Sequence, residues 1–251
     1  MSIETPHYYS TLAPFRKVFG QGNPVLMYHK LGPRPRGARL KGLYLSTKLF
    51  TKQLQELREA KFVSGSLEEC VGPLREKRIG LTFDDGYVNV LHHGLEPLAS
   101  AGFRAVQFLV ADLMGKNNEW DIALGEAPEP MMDVGQVREW IAAGHDIGSH
   151  TLTHPWLTRL SVPAAREQIV ASRKKLEDLF GRPIRHFCYP YGDWNEPVRD
   201  LVAAAGYQTA CTTRPGVNTA ADSPFALSRF TARYPSRNLK AIWRRFRARS
   251  A

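Results

Sequence analysis

The chain has 251 residues, 43% of them hydrophobic, which suits one large domain with a buried core or at most two small ones. No run approaches the roughly 18 apolar residues a bilayer span requires. Three widely spaced cysteines (Cys70, Cys188 and Cys211) without a CxxC pair argue against a disulfide scaffold or a zinc knuckle and read as reduced, buried thiols. The formal net charge of +10 is uneven: after Asp222 there is no acid, and Arg229, Arg233, Arg237, Lys240, Arg244, Arg245, Arg247 and Arg249 supply eight cations. The remainder reads as near neutral, and the tail as suited to an anionic partner.

In chain order, Met1 to Gly20 has no continuous apolar core and no small-residue cleavage site. It reads as lacking a signal peptide, so a cytoplasmic location is expected. Residues 1–23 are expected to lie as an arm over the domain. Val25 to Tyr28 predicts a strand ending at His29, and residues 32–42 a loop. Ser46 or Thr47 caps a helix running to about Lys61, with Leu49, Phe50, Leu54, Leu57 and Ala60 at helical spacing. Phe62 to Ser64 predicts a second strand and Leu67 to Leu74 a short helix. Gly80 to Phe83 is the third strand, and it runs into Asp84-Asp85-Gly86. Val88 to Ala101 is helical, stopped by Gly102. Ala105 to Val110 is nearly all apolar, a strand buried on both faces. Residues 112–132 are a long loop or insertion with Trp120. Val134 to Ala143 is helical, Asp146 to Ser149 a strand ending at His150, and Val162 to Phe180 a long helix. His186 to Tyr189 predicts a strand before Pro190-Tyr191-Gly192. Glu196 to Ala205 is helical, Gln208 to Thr213 a strand, Phe225 to Phe230 a further strand, and Asn238 to Arg249 a terminal helix.

Strands alternate with helices that end at glycines, which demands parallel strands joined by crossover helices. With seven or eight such units, a distorted (β/α)7-8 barrel in a single domain over residues 24–235 fits best; an open doubly wound sheet is the alternative. In a barrel the chemistry gathers at the C-terminal ends of the strands. His29, Asp84, Asp85, His150, Tyr191 and Arg229 all fall at or near such ends.

Asp84 and Asp85 are adjacent like charges, tolerable where something positive sits beside them. His150 and His154 lie four apart after a strand and suit one divalent cation, with a carboxylate available from the third strand. Two histidines and one carboxylate leave positions open, the pattern of a catalytic metal. Asp85 then serves as ligand with His150 and His154. Asp84 is left as the base that takes a proton from metal-activated water as it attacks a carbonyl. The metal and the backbone N–H of Tyr191 are the expected oxyanion donors.

Thr82-Phe83-Asp84-Asp85-Gly86, His150-Thr151-Leu152-Thr153-His154 and Tyr189-Pro190-Tyr191-Gly192 resemble, in order, the first three motifs of the polysaccharide deacetylases, carbohydrate esterase family four. The resemblance spans roughly residues 24–230. Val25-Leu26-Met27-Tyr28-His29 also resembles the opening of the subgroup that de-N-acetylates exopolysaccharides. The resemblance implies a distorted barrel and a divalent metal, zinc first, with cobalt, nickel or manganese as alternatives. It implies hydrolysis of acetyl groups from an N-acetylated polysaccharide, oligosaccharide or lipid-linked glycan. Asp84 would be the base, Asp85, His150 and His154 the ligands, and Tyr191 a contact to the acetate oxygen. Two positions depart from the pattern. Cys188 stands where many members carry an arginine that tethers the catalytic aspartate. Leu227-Ser228-Arg229 stands where a Leu-x-His supplies the acid. Arginine donates no proton at neutral pH, so His29 becomes the candidate acid. Arg229 is left to pair with Asp84 or Asp222, or to bind an anionic substrate.

The tail helix sets Leu239, Ile242, Trp243 and Phe246 on one stripe among basic residues, which fits either packing on the barrel or an anionic membrane surface at the inner face. Nucleic acid is not expected, because the charge sits in the tail and no nucleic-acid motif is present. Competing readings are a catalytically weak glycan-binding relative and a hydrolase of another amide, such as a cyclic imide or formamide.

Overall fold

The computed structural model of the protein describes residues 7–75 and 77–234. The strands are β1 (Asn23–Tyr28), β2 (Lys30–Leu31), β3 (Tyr44–Leu45), β4 (Val63–Ser64), β5 (Arg78–Phe83), β6 (Val106–Leu109), β7 (Asp146–Ser149), β8 (His186–Cys188), β9 (Thr209–Cys211), β10 (Val217–Asn218) and β11 (Phe230–Thr231). The α-helices are α1 (Arg16–Phe19), α2 (Thr47–Glu59), α3 (Val88–Ala101), α4 (Glu119–Ile122), α5 (Val134–Ala142), α6 (Val162–Phe180) and α7 (Glu196–Ala204). Side-chain caps fix several starts: the Ser46 hydroxyl accepts the Leu49 amide, Asp133 and Gln136 form a reciprocal box, and Asn195 accepts the Val198 amide. Gly102 and Gly181 end α3 and α6 in the left-handed region, at φ 73° and 62°.

Parallel pairing runs β1-β5-β6-β7-β8-β9, and β11 returns to pair in parallel with β1. The turn of the wall from β9 to β1 is made by one strap: Leu227 bridges Cys211, and Phe230 and Thr231 sit opposite Leu26 and Met27. The expected single-domain distorted barrel is therefore the fold. The strand expected over Phe225 to Phe230 is this strap, and only its end has ladder pairing, because it changes partner halfway.

Period-two alternation sorts the strand residues. Leu26, Leu81, Phe83, Ile147, Phe187 and Ala210 belong to the cluster packed against the helices. Val25, Phe108, Cys188, Cys211 and Leu227 form a separate cluster with Leu67 and Cys70. The three thiols are all buried and free, so the cysteines are interior packing. At Gly148 the wall is tight: a Cβ there would lie 2.6 Å from the Phe108 ring and 2.8 Å from the His186 carbonyl oxygen.

One further expectation changes. Leu67 to Leu74 is a run of turns and bends rather than a helix, since Gly72 takes φ 123° and Pro73 follows. The described part of the N-terminal arm, from residue 7, carries aromatic plugs: Tyr9, Phe15 and Phe19 are buried in the main core, and Phe15 packs edge-on to Phe230 with ring centroids 5.1 Å apart. The proposed terminal helix lies outside the described residues. Among them, no helix is long and apolar enough to cross a membrane.

Candidate functional site

The barrel wall brings the sequence-predicted residues to one end. Alternation along β5 turns Leu81 and Phe83 to the helices and leaves Asp84 inward. At Asp85 the backbone flips to φ 78°, which lets the next side chain enter the same space. Thr151, His154 and Tyr191 also hold positive φ, at 71°, 63° and 60°. Left-handed backbone costs a non-glycine residue on the order of 1–3 kcal/mol and persists where the surroundings enforce it. Four such residues here mark a site shaped at the expense of local backbone comfort.

The Asp85 Oδ1 atom lies 3.3 Å from His150 Nε2 and 3.5 Å from His154 Nε2, and all three residues are buried. Donors about 2.0–2.2 Å from one tetrahedral cation stand about 3.3–3.6 Å apart. The donor set, its spacing and its burial thus fit a divalent metal. Support behind the ligands fits as well. The His150 Nδ1 atom is 2.7 Å from the Cys188 carbonyl oxygen, so it donates there and the ring is held with Nε2 facing Asp85. The His154 ring stacks on Trp120, centroids 4.4 Å apart, and meets Tyr191 edge-on at 4.5 Å. Burial opposes ionisation of Asp85, but hydrogen bonding to His150 and His154 holds its carboxyl well below the usual range.

Asp84 is held differently. Arg229 donates from Nη1 to Asp84 Oδ1 at 2.7 Å and from Nη2 to Oδ2 at 2.8 Å, a fork on both oxygens. The same guanidinium donates to Thr82 Oγ1 and, through Nε, to the Thr212 carbonyl, both at 2.9 Å. Burial alone would raise the Asp84 pKa; the Arg229 charge and hydrogen bonds reverse that and leave it below the ordinary value. Of the roles left open to Arg229, this is the pairing with Asp84. Arg229 is 0% exposed and lies behind Asp84, so it does not contact substrate, and Asp222 is occupied instead by Thr219. The position where an arginine was expected, Cys188, contributes its sulfur 3.1 Å from Arg229 Nη2 and 3.6 Å from Asp84 Oδ2. Asp84, His150 and Cys188 also offer donor atoms within 4.8 Å of one another. That group suits a metal less well, because Arg229 already occupies both Asp84 oxygens and burial pushes the Cys188 thiol up to about 11.

His29 Nε2 lies 3.9 Å from Asp84 Oδ2. Burial lowers its pKa, and the Asp84 and Asp85 charges offset this only in part. His29 is therefore neutral at neutral pH. The amide N–H of Tyr191 meets no protein acceptor among the described residues, while its ring stacks on Trp156 at 4.1 Å.

The structure adds residues that sequence reasoning left out. Thr82 lies inside the recognised motif but had no assigned role. Asp121, on α4, is buried, and burial with the Asp85 charge pushes it up to about 6. Nothing local marks Asp121, since its placement depends on how residues 112–132 fold back over the site.

Residues 71–210 match the family model for polysaccharide deacetylase. YxkH of Bacillus subtilis (strain 168), itself named only as a candidate polysaccharide deacetylase, is 24% identical over 212 residues, covering 82% of this chain and 70% of YxkH. The chitooligosaccharide deacetylase of Bradyrhizobium sp. (strain ANU 289) is 28% identical over 101 residues, and the match covers 37% of this chain and 46% of that enzyme. Among solved structures, the Streptococcus pyogenes deacetylase PplD in complex with acetate superposes with a TM-score of 0.73 at 21% identity, covering 88% of this chain and 96% of PplD. At that identity the superposition speaks for the fold.

Proposed function

The chain belongs to the polysaccharide deacetylase family, and from that premise we propose that it hydrolyses the acetamide of an N-acetylated glycan in a metal-dependent reaction. The observation that carries the reading is one buried cluster holding both a compact Asp85–His150–His154 donor set and an ionised, doubly clamped Asp84.

Asp85, His150 and His154 would hold the cation. A divalent ion there polarises an acyl oxygen and makes water more acidic. Asp84, kept charged and oriented by Arg229, accepts a proton from the attacking water. Neutral His29, 3.9 Å away, receives that proton and passes it to the departing amine nitrogen. The amine so acquires the proton that water loses, and His29 returns to its starting state. The free Tyr191 amide N–H is positioned as a donor to the acyl oxygen. The weakly catalytic alternative was motivated by a missing arginine clamp and a missing acid histidine; the Arg229 fork supplies the clamp, and His29 is the group offered for the acid.

The test is acetate release from chitooligosaccharides and polymeric N-acetylglucosamine, with and without added zinc, cobalt, nickel or manganese. We expect metal-dependent release by the wild type and a loss of about 10²–10⁴-fold in Asp84→Asn, the range for removing a general base. Selective glycan binding without release under every metal would replace the hydrolase reading with a binding one.

A further inference from the structure

A second concentration of charge lies on the catalytic face, away from the tail. Between Glu4 and Glu56 the sequence has no acidic residue and nine lysines and arginines. Four of these, Arg34, Arg36, Arg39 and Lys41, fall on the loop joining β2 to β3. With Pro35, Gly37 and Ala38 they line an open cup of about 620 Å³.

This loop is held in place. The Glu126 carboxylate accepts the backbone N–H groups of Arg39 and Leu40, at 2.9 Å for Arg39, and also that of Ala127. These three amides hold the Glu126 carboxyl below its usual range against the effect of burial. The Arg39 guanidinium donates to the Leu124 carbonyl at 2.7 Å. The Glu126 carboxylate is thus spent on backbone, while the side chains of Arg34, Arg36 and Lys41 are exposed without a carboxylate partner among the described residues.

The loop also belongs to the mouth of the site. It starts at Gly32, three residues beyond His29, and is clasped to the segment whose Trp120 stacks on His154. Neutral N-acetylated sugars give three free cations at this rim nothing to pair with.

We propose that the cup of loop 34–41 is an anion subsite that receives a carboxylate or phosphate group carried by the glycan undergoing deacetylation. This rests on the de-N-acetylase reading and narrows its substrate to an acidic glycan. Exposed Leu40 and Leu124 flank the loop, at 43% and 70%, so an anionic bilayer is the competing occupant. A concave, pinned loop favours one discrete oxyanion over a flat headgroup layer.

The test compares wild type with the Arg34→Ala/Arg36→Ala/Lys41→Ala variant on three probes: hyaluronan oligosaccharides (carboxylate), UDP-N-acetylglucosamine (phosphate) and chitooligosaccharides (neutral). In the wild type we expect kcat/KM for at least one charged probe to exceed that for the neutral one, with the ratio falling as salt is raised. In the variant the ratio falls about tenfold, the size of roughly one charge-assisted contact. Which charged probe responds identifies the anion. The same ratio in both proteins overturns the proposal. So does an unchanged ratio with lost co-sedimentation on phosphatidylglycerol vesicles, which assigns the loop to a lipid surface. Calorimetric binding of hyaluronan is read alongside. Binding that weakens in the variant while neither protein releases acetate supports the subsite and sinks the hydrolase reading.

Discussion

Arg229 and Asp84 are both buried, at 0% and 2% exposure, so each is tolerable only because of the other. Removing one partner of a buried ion pair costs about 3–5 kcal/mol, mostly from the charge left behind, whereas removing both can be nearly neutral. We therefore expect urea unfolding of Arg229→Met to show a loss in that range, and the Asp84→Asn/Arg229→Met double variant to recover much of it. Additive losses in the cycle would contradict a direct pair. The fork also orients Asp84 toward His29. His29 titrates below its ordinary value because it is buried, and in the proposed relay an imidazolium could not take the proton Asp84 would receive. kcat/KM should then fall as pH drops through the lowered His29 pKa, on the acid side of 6.5, and be level above it. Had His29 to be charged before substrate arrived, activity would decline on raising pH through that same value. A pH profile with wild type and His29→Gln separates the two.

At the scale of elements, the insertion between β6 and α5 does more than cover the barrel mouth. It carries Trp120 against His154, places Asp121 within reach of the Asp85 charge and, through Glu126, fixes a loop that begins at the end of β2. Glu129 adds a second tie, accepting the Tyr44 hydroxyl at 2.6 Å. A hydrogen bond to a charged acceptor contributes about 1.5–3 kcal/mol. In Glu126→Ala the Arg39 and Leu40 amides should exchange with deuterium about tenfold faster or more, a change that corresponds to about 1.4 kcal/mol. Protection at β5 and β6 should stay as in the wild type. Unchanged exchange at Arg39 and Leu40 would mean that the loop is held by something other than Glu126.

For the whole molecule, the barrel closes through the strap of residues 227–231, and the strap carries the arginine that holds the site aspartate. Closure and site formation are one event, since the contacts linking Leu227 to Cys211 and Phe230 to Leu26 also set Arg229 in place. A cation bound to the folded donor set adds stability in proportion to its occupancy, about 4 kcal/mol at a thousandfold excess over Kd. Chelation should lower the unfolding midpoint of the full chain, reloading should restore it, and Asp85→Asn should largely abolish the metal-dependent rise. An equal rise in Asp85→Asn would place the stabilising ion elsewhere.

The alternation of apolar strands with glycine-stopped helices was enough to indicate a parallel barrel, because period and punctuation are local properties of the chain. The adjacent acids and the paired histidines were legible for the same reason: each motif lies within a few residues, at the end of a strand. The role of Arg229 was not legible. It lies 145 positions from Asp84, and its sequence neighbours admitted a partner in Asp84, in Asp222 or in substrate. Only the change of partner within the closing strap decides among them. The sequence also gave no hint that loop 34–41 and residues 112–132 meet, since Glu126 reaches backbone amides 86 and 87 positions away and backbone amides are the same in every sequence. Local pattern thus determined the fold and the pair of motifs at its mouth. Which charges neutralise one another, and which stay free at the rim, depended on contacts between distant segments that exist only once the barrel has closed.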